Sequence, residues 1–430
     1  MRPRQGIPAI LRSIAPVCSL AWLSVLTASP SDTQGPAQRF LPELIHDSSL
    51  TVRLARVGRL SLHNNPTSPI VAGGHLLSIE QSGAIDLWNG TAMTRIFDAH
   101  DFPAGLHRSG AEFLLNAAAN AAGTKLYVVF ASTSVPKGIK PRPSPRDESY
   151  GFYCVYEFNF EDGRLSSPKP VVALGMRMDG HIGGGFVVLP DGTLLFATGD
   201  NGDSFEDGLS FPQNPANHLG KILRIDPTDG RTSVVALGVR CPQRLVLTGE
   251  GADARVSFVD PGGWVAEELN SVLLADLVAG AAPVNFGWGR ARLDNRSREG
   301  RFYIDVEGNA SSVIPTAEPG FVEPVAQFGR EKQKAVAVSG PVASSTSFLQ
   351  ITMLFADLVE GDALAVTDKL SVSRQRVYRV KLIDEAGKPT AFKALAGGMR
   401  PDPRFFNFPD GSAGVLLERT GEFFRLTEVR

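Results

Sequence analysis

Short β-branched and aromatic runs bounded by Gly, Asp, Asn and Pro recur along this chain, and no long apolar stretch at helical spacing dominates the region after the first 40 residues. Six such units stand out: Leu77–Gly90, Ala122–Ser132, Gly185–Asp200, Gly251–Gly263, Phe348–Val366 and Phe408–Leu426. Several place a tight-turn signal before an apolar run, as with Ser82-Gly83, Pro190-Asp191-Gly192 and Pro409-Asp410-Gly411. That order predicts antiparallel strands joined by hairpins. Six units over the mature chain give roughly 65 residues each, longer than a simple propeller repeat, so insertions on one face are expected.

The pattern predicts an all-β fold, specifically a six-bladed β-propeller spanning residues 40–430 as one domain. A radial stack of four-stranded sheets covers the edges of this many short strands. The competing arrangement, two β-sandwich domains, calls for a Pro/Ser-rich divide that the chain lacks. Pro136–Tyr150 is Pro-rich and charged and reads as a long surface loop. Glu267–Val278 has helical spacing and reads as either a short helix or a strand plus turn; period alone does not choose.

Composition narrows the function classes. Among 430 residues, 43 Lys and Arg balance 45 Asp and Glu, for a net charge of −2, so nucleic acid is not an expected partner. With 44 Gly and 30 Pro the chain is turn-rich, yet 43% of it is hydrophobic, which places it among folded proteins. Residues 1–30 differ from the rest: Arg2, Arg4 and Arg12 precede an apolar run from Ile14 to Leu26, followed by small and polar residues. This is the layout of a secretory signal peptide, and the run is too short for a comfortable membrane span. The expected location is secreted or periplasmic, with no stable span after cleavage. Cys154 and Cys241 then remain, too few for a disulfide framework; one bridge and two separate thiols are both open.

His181 lies in DGHIGGGFVVLPDGTLLFATGD, just before Gly183-Gly184-Gly185 and a strand. Glycines let backbone approach a ligand closely, and an imidazole on such a loop can act as a general base near neutral pH. The bland alternative is a loop imidazole bonded to backbone. Asp200, Asp203, Glu206 and Asp207 form an acidic loop without the alternation of an EF-hand. Glu267 and Glu268 read as solvated carboxylates on an exposed turn. Trp264 and Trp288 fit either a sugar cleft or a blade core. Asn89, Asn295 and Asn309 begin glycosylation sequons, relevant only in a host that glycosylates its secreted proteins.

Beyond His181 come Gly199-Asp200, HLGKILRIDPTDG from His218, GVRCPQRL from Gly238, VDPGGWVAEELN from Val259, NFGWG from Asn285 and MRPDPRFFNFPDG from Met399. In this order the motifs resemble the soluble glucose/sorbosone dehydrogenases, quinoproteins that use pyrroloquinoline quinone (PQQ) and include the aldose sugar dehydrogenases. The resemblance spans about residues 65–428 and is specific between 179 and 289. It implies a six-bladed propeller that oxidises an aldose to its lactone, with a small sugar as substrate and a separate electron acceptor. It further implies that His181 takes the sugar hydroxyl proton and that Arg240 binds the quinone's acidic groups. Arg400 and Arg404 approximate the family's C-terminal arginine pair at the cofactor, and the carbonyls of Gly262 and Gly263 match those that hold Ca²⁺.

Departures from the family pattern are specific. Cys241 stands where an Asn usually follows the motif arginine, Ala104 stands where a Gln usually precedes the Gly-Leu pair, and Lys369 is only near in order to the family's cofactor-binding Lys. Each lost polar contact weakens cofactor binding by about 1–3 kcal/mol. They keep open a second reading, a non-catalytic propeller that lost PQQ and binds carbohydrate or protein. A third, a Ca²⁺-dependent lactone hydrolase, lacks a recognisable cluster of acidic ligands.

Overall fold

The structure is a computed structural model that describes residues 45–429 apart from 61–65, 100–112, 145–149, 178–179, 203–204, 207–208, 264–265, 292–295, 300–301, 305–309, 314–318, 330–337 and 344–345. The signal-peptide expectation, Ala104, Trp264, Asp203, Asp207 and the sequons at Asn295 and Asn309 therefore lie outside the described residues. Among the described residues the regular elements are nearly all strands, in an all-β, propeller-like arrangement.

Four sheets follow one another along the chain. Sheet I holds Ile70–Ala72, His75–Ile79, Ala84–Trp88 and Met93–Asp98; sheet II holds Phe113–Ala119, Lys125–Ser132, Gly151–Glu161 and Arg164–Met176. Sheet III holds Gly183–Val188, Leu194–Thr198, Lys221–Ile225 and Thr232–Leu237, with Val284–Asn285 added in parallel; sheet IV holds Val246–Thr248, Arg255–Asp260, Ala266–Leu273 and Ala326–Gly329. A nine-stranded sheet completes the set, made of two antiparallel halves, Val338–Val342 to Val377–Ile383 and Pro403–Asn407 to Glu422–Val429. Strand Ile45–Arg59 joins them, parallel to Val377–Ile383 and antiparallel to Glu422–Val429, with Arg59 opposite Glu422 and Thr51 opposite Val429. The C-terminal strand thus pairs with N-terminal sequence, and the last edge is covered from within the chain.

Each sequence unit falls on a different sheet or sheet half and contains one of its middle strands. Lys125–Ser132 shows why its apolar run is continuous rather than alternating. Leu126, Val128 and Phe130 pack toward sheet I while Tyr127, Val129 and Ala131 pack toward sheet III, so both faces of the strand are buried. Similar clusters fill each gap around the ring, one of them between the two halves of the nine-stranded sheet. First strands of neighbouring sheets contact one another except at sheet IV, whose second strand Arg255–Asp260 meets Val338–Val342, and Pro403–Asn407 meets Ile70–Ala72 to bring the ends of the ring together.

Glu267–Val278 is mostly strand: Ala266–Leu273 pairs on both sides, and only Leu274–Ala279 is helical. Ladder pairing at both edges overrides its helical spacing. The expected insertion is a six-stranded satellite sheet built from 205–210 and 289–313. Among the described residues no helix is long and apolar enough to cross a membrane. Cys154 and Cys241 are buried and are not bridged to each other.

Candidate functional site

Antiparallel pairing of Gly183 with Thr198 places the residues just before one strand and just after the other at the same end of sheet III. His181 and Asp200 meet there. Their loops approach so closely that a Cβ on Gly199 would lie 1.4 Å from the His181 carbonyl oxygen, so only glycine fits. Asn201 pins the pair from below: its side chain donates to the Tyr153 hydroxyl (3.0 Å), which donates to the Ile182 carbonyl (2.7 Å). His181 sits at φ 45° and Asn201 at φ 50°, left-handed conformations that non-glycine residues adopt only when surrounding contacts enforce them.

Asp200 is fully buried, with one carboxylate oxygen 2.9 Å from His181 Nδ1 and the other accepting from the Trp288 indole N–H at 2.8 Å. Burial alone would push this carboxyl up. The hydrogen bond from His181, the Arg240 charge and the Gly202 N–H outweigh it, holding Asp200 below the usual carboxylate range. On its other side, His181 Nε2 receives Arg240 Nη2 at 2.7 Å. Arg240 also donates to the Pro261 carbonyl (3.2 Å) and lies over the Trp288 ring, 5.4 Å from its centroid.

Asp260 holds the Arg240 loop by accepting the backbone N–H groups of Arg240 (2.8 Å) and Cys241 (2.7 Å). Burial, with the Glu268 charge directly across the strand pair, pushes its carboxyl up to about 7. Glu267 and Glu268 are buried, correcting the expectation of an exposed, solvated pair. The strand they begin is an interior one; Glu267 accepts from Gly262 N (3.2 Å) and Glu268 from the Asn270 amide (2.9 Å).

The structure thus brings together His181, Arg240 and the turn bearing Gly262 and Gly263. Arg404 joins the same loop at one remove, donating to Gln243 (2.7 Å) while Glu418 takes its Nε and Nη2. Arg400 is held by Asp402 (2.8 Å). Lys369 is exposed on a loop. Among the described residues no group of three or more His, Cys, Asp or Glu could hold a metal, and the Pro261 carbonyl beside Gly262 faces the Arg240 guanidinium.

Sequence reading missed three roles. Asp200 was placed in an acidic loop, although its spacing of 19 from His181 across a hairpin is a usable signal. Asp260 gave none and Trp288 only the choice between sugar cleft and blade core, because only the ring places sheet IV and the residues after it beside sheet III.

An all-β, propeller-like protein with a carboxylate-oriented histidine under an arginine is the class that fold and site define. The Glucose / Sorbosone dehydrogenase family model matches residues 70–235, a stretch that contains His181 and Asp200 and ends before Arg240, in line with the resemblance read from the sequence. The PQQ-bound aldose sugar dehydrogenase of Streptomyces coelicolor is similar in structure at TM-score 0.57 and 18% identity, over 89% of this chain and 100% of that one. A proposed oxidoreductase (glucose dehydrogenase) of Thermus thermophilus is similar at TM-score 0.56 and 18% identity, over 88% and 100%. No curated protein matches the sequence.

Proposed function

We propose that this chain is a secreted or periplasmic, PQQ- and Ca²⁺-dependent dehydrogenase that oxidises an aldose to its lactone and passes the electrons to a separate acceptor. We also infer six blades, counting each half of the nine-stranded sheet as one, with Ile45–Arg59 as the outer strand of the last. Packing clusters between successive sheets, including one between those halves, support that count. The family-model match supports the sugar dehydrogenase reading.

One observation carries the chemistry: His181 is bonded through Nδ1 to buried Asp200 and has Nε2 turned to Arg240. A guanidinium only donates, so Nε2 must be the acceptor and the imidazole proton sits on Nδ1. This is the tautomer a base needs. When bound, PQQ supplies the two-electron acceptor for the hydride leaving the sugar C1. His181 Nε2 takes the C1 hydroxyl proton, and Asp200 stabilises the resulting imidazolium. For Nε2 to reach substrate, Arg240 must turn from it, and an anionic ligand gives the guanidinium a better acceptor.

The donor set fits such a ligand: arginines converge on the loop, and Trp288 offers a planar face. Calcium belongs, in this proposal, at the Gly262–Gly263 turn through backbone carbonyls. No step is assigned to it.

The test is to add PQQ and Ca²⁺ to purified protein, record the quinone absorbance, and follow aldose-dependent dye reduction. Binding with turnover is expected. Absence of PQQ binding would move the weight to the non-catalytic propeller, which Cys241 and the carboxylate-held Arg400 and Arg404 favour.

A further inference from the structure

The segment from Arg240 to Leu245 lies at the centre of the ring, because it touches the first strands of three different sheets. Pro242 O accepts from Gly185 N (3.0 Å) in sheet III, and Gln243 accepts through its carbonyl from Asn116 (3.5 Å) in sheet II and through its side chain from Arg404 (2.7 Å) in the nine-stranded sheet. Arg244 follows, and its Nε donates to the carbonyl of Pro341 (3.1 Å), on the first strand of the other half of that sheet. The side chain therefore spans the axis of the ring.

Its electrostatic situation differs from that of its neighbours. Arg400 and Arg404 are each held by a carboxylate, Asp402 and Glu418. Arg244 is half-buried, and its one hydrogen bond among the described residues is to a neutral carbonyl. Among the described residues no charged group offsets its burial, which pushes the guanidinium down to about 10. A half-buried cation without a nearby counter-charge is costly, and a bound anion lowers that cost. Guanidinium geometry suits a carboxylate, which it can grip with two parallel donors.

We propose that Arg244 is an anion-binding residue of the central channel, receiving a carboxylate of a small planar polyanion bound beside His181 and Arg240. Resting on the function proposed above, that polyanion is PQQ, and Arg244 supplies a cationic contact where the family's lysine has no clear counterpart. An inorganic oxyanion has the same recognition chemistry, and the experiment separates the two sources.

The full-length chain and its Arg244→Gln and Arg244→Lys variants are titrated with PQQ by absorbance, and their melting temperatures are measured with and without phosphate. Expected are a PQQ dissociation constant about 10- to 100-fold higher in Arg244→Gln, partial recovery in Arg244→Lys, and a ligand-free melting temperature in Arg244→Gln no lower than wild type. Equal PQQ affinity in wild type and Arg244→Gln overturns the proposal and leaves the dehydrogenase reading intact. If wild type binds no PQQ, that reading fails while the anion site is still decided. Phosphate raising the melting temperature of wild type but not of Arg244→Gln upholds it with an oxyanion as occupant, and no difference overturns it.

Discussion

Arg240 Nη2 and His181 Nε2 lie 2.7 Å apart, and this contact fixes where the imidazole proton resides. Because a guanidinium only donates, the pair selects the imidazole tautomer with its proton on Nδ1, directed at Asp200. Nitrogen chemical shifts of the imidazole should show this Nδ1–H tautomer in the ligand-free protein. Arg240→Ala should shift His181 toward a mixture of tautomers; an unchanged spectrum would show that Asp200 alone sets the state.

His181→Ala and Arg240→Ala should separate kinetically. Losing the base should cost turnover about 10²- to 10⁴-fold with little change in PQQ affinity. Losing the guanidinium should act mainly on PQQ affinity, read by absorbance titration. Cys241→Asn, which restores the amide of the family pattern, should tighten PQQ binding in the same titration.

Asp200→Asn tests the carboxylate. Its carboxyl is held below its ordinary value, so the native state binds fewer protons than the unfolded state. That contribution is fully present above the unfolded value near 4 and is lost as pH falls through the native one. The variant should cost about 1–3 kcal/mol at pH 7, with the difference narrowing as pH falls below about 4 in urea unfolding. A difference that stays constant with pH would rule out the charge as its source.

Asp260 has the opposite sign. Its native carboxyl titrates at about 7, above the unfolded value near 4, so stability should fall as pH rises through that window, by up to about 1.4 kcal/mol per pH unit. Glu268→Gln removes the repulsion across the strand pair and should flatten this slope. Urea melts between pH 5 and 8 measure it, and an equal slope in both proteins would exclude Glu268 as a cause.

Gly199→Ala should destabilise by about 3 kcal/mol or more, since its Cβ would meet the His181 carbonyl and the loops cannot part without losing the Tyr153–Asn201 bonds. Thermal unfolding is the measurement. A shift of only a degree or two would show that the loops have room to yield.

Strand positions were legible because each depends on local pattern. Turn glycines end the runs, and apolar residues such as Leu126 through Ala131 must be buried wherever their strand goes. His181 and Arg240 were legible as a pair through ordered motifs, each carrying its own chemistry. Tertiary structure alone decided three things. It buried Glu267 and Glu268 by pairing their strand on both sides, so helical spacing and charge misled. It set Asp260 against the Arg240 loop and Asp200 beside Trp288, from segments with no shared local signal. And it carried Arg244 to the centre of the ring, where its partner among the described residues is the Pro341 carbonyl. Sequence determines which residues want burial and which carry charge. Ring closure determines which charges face one another, because that depends on distances between sheets far apart in the chain.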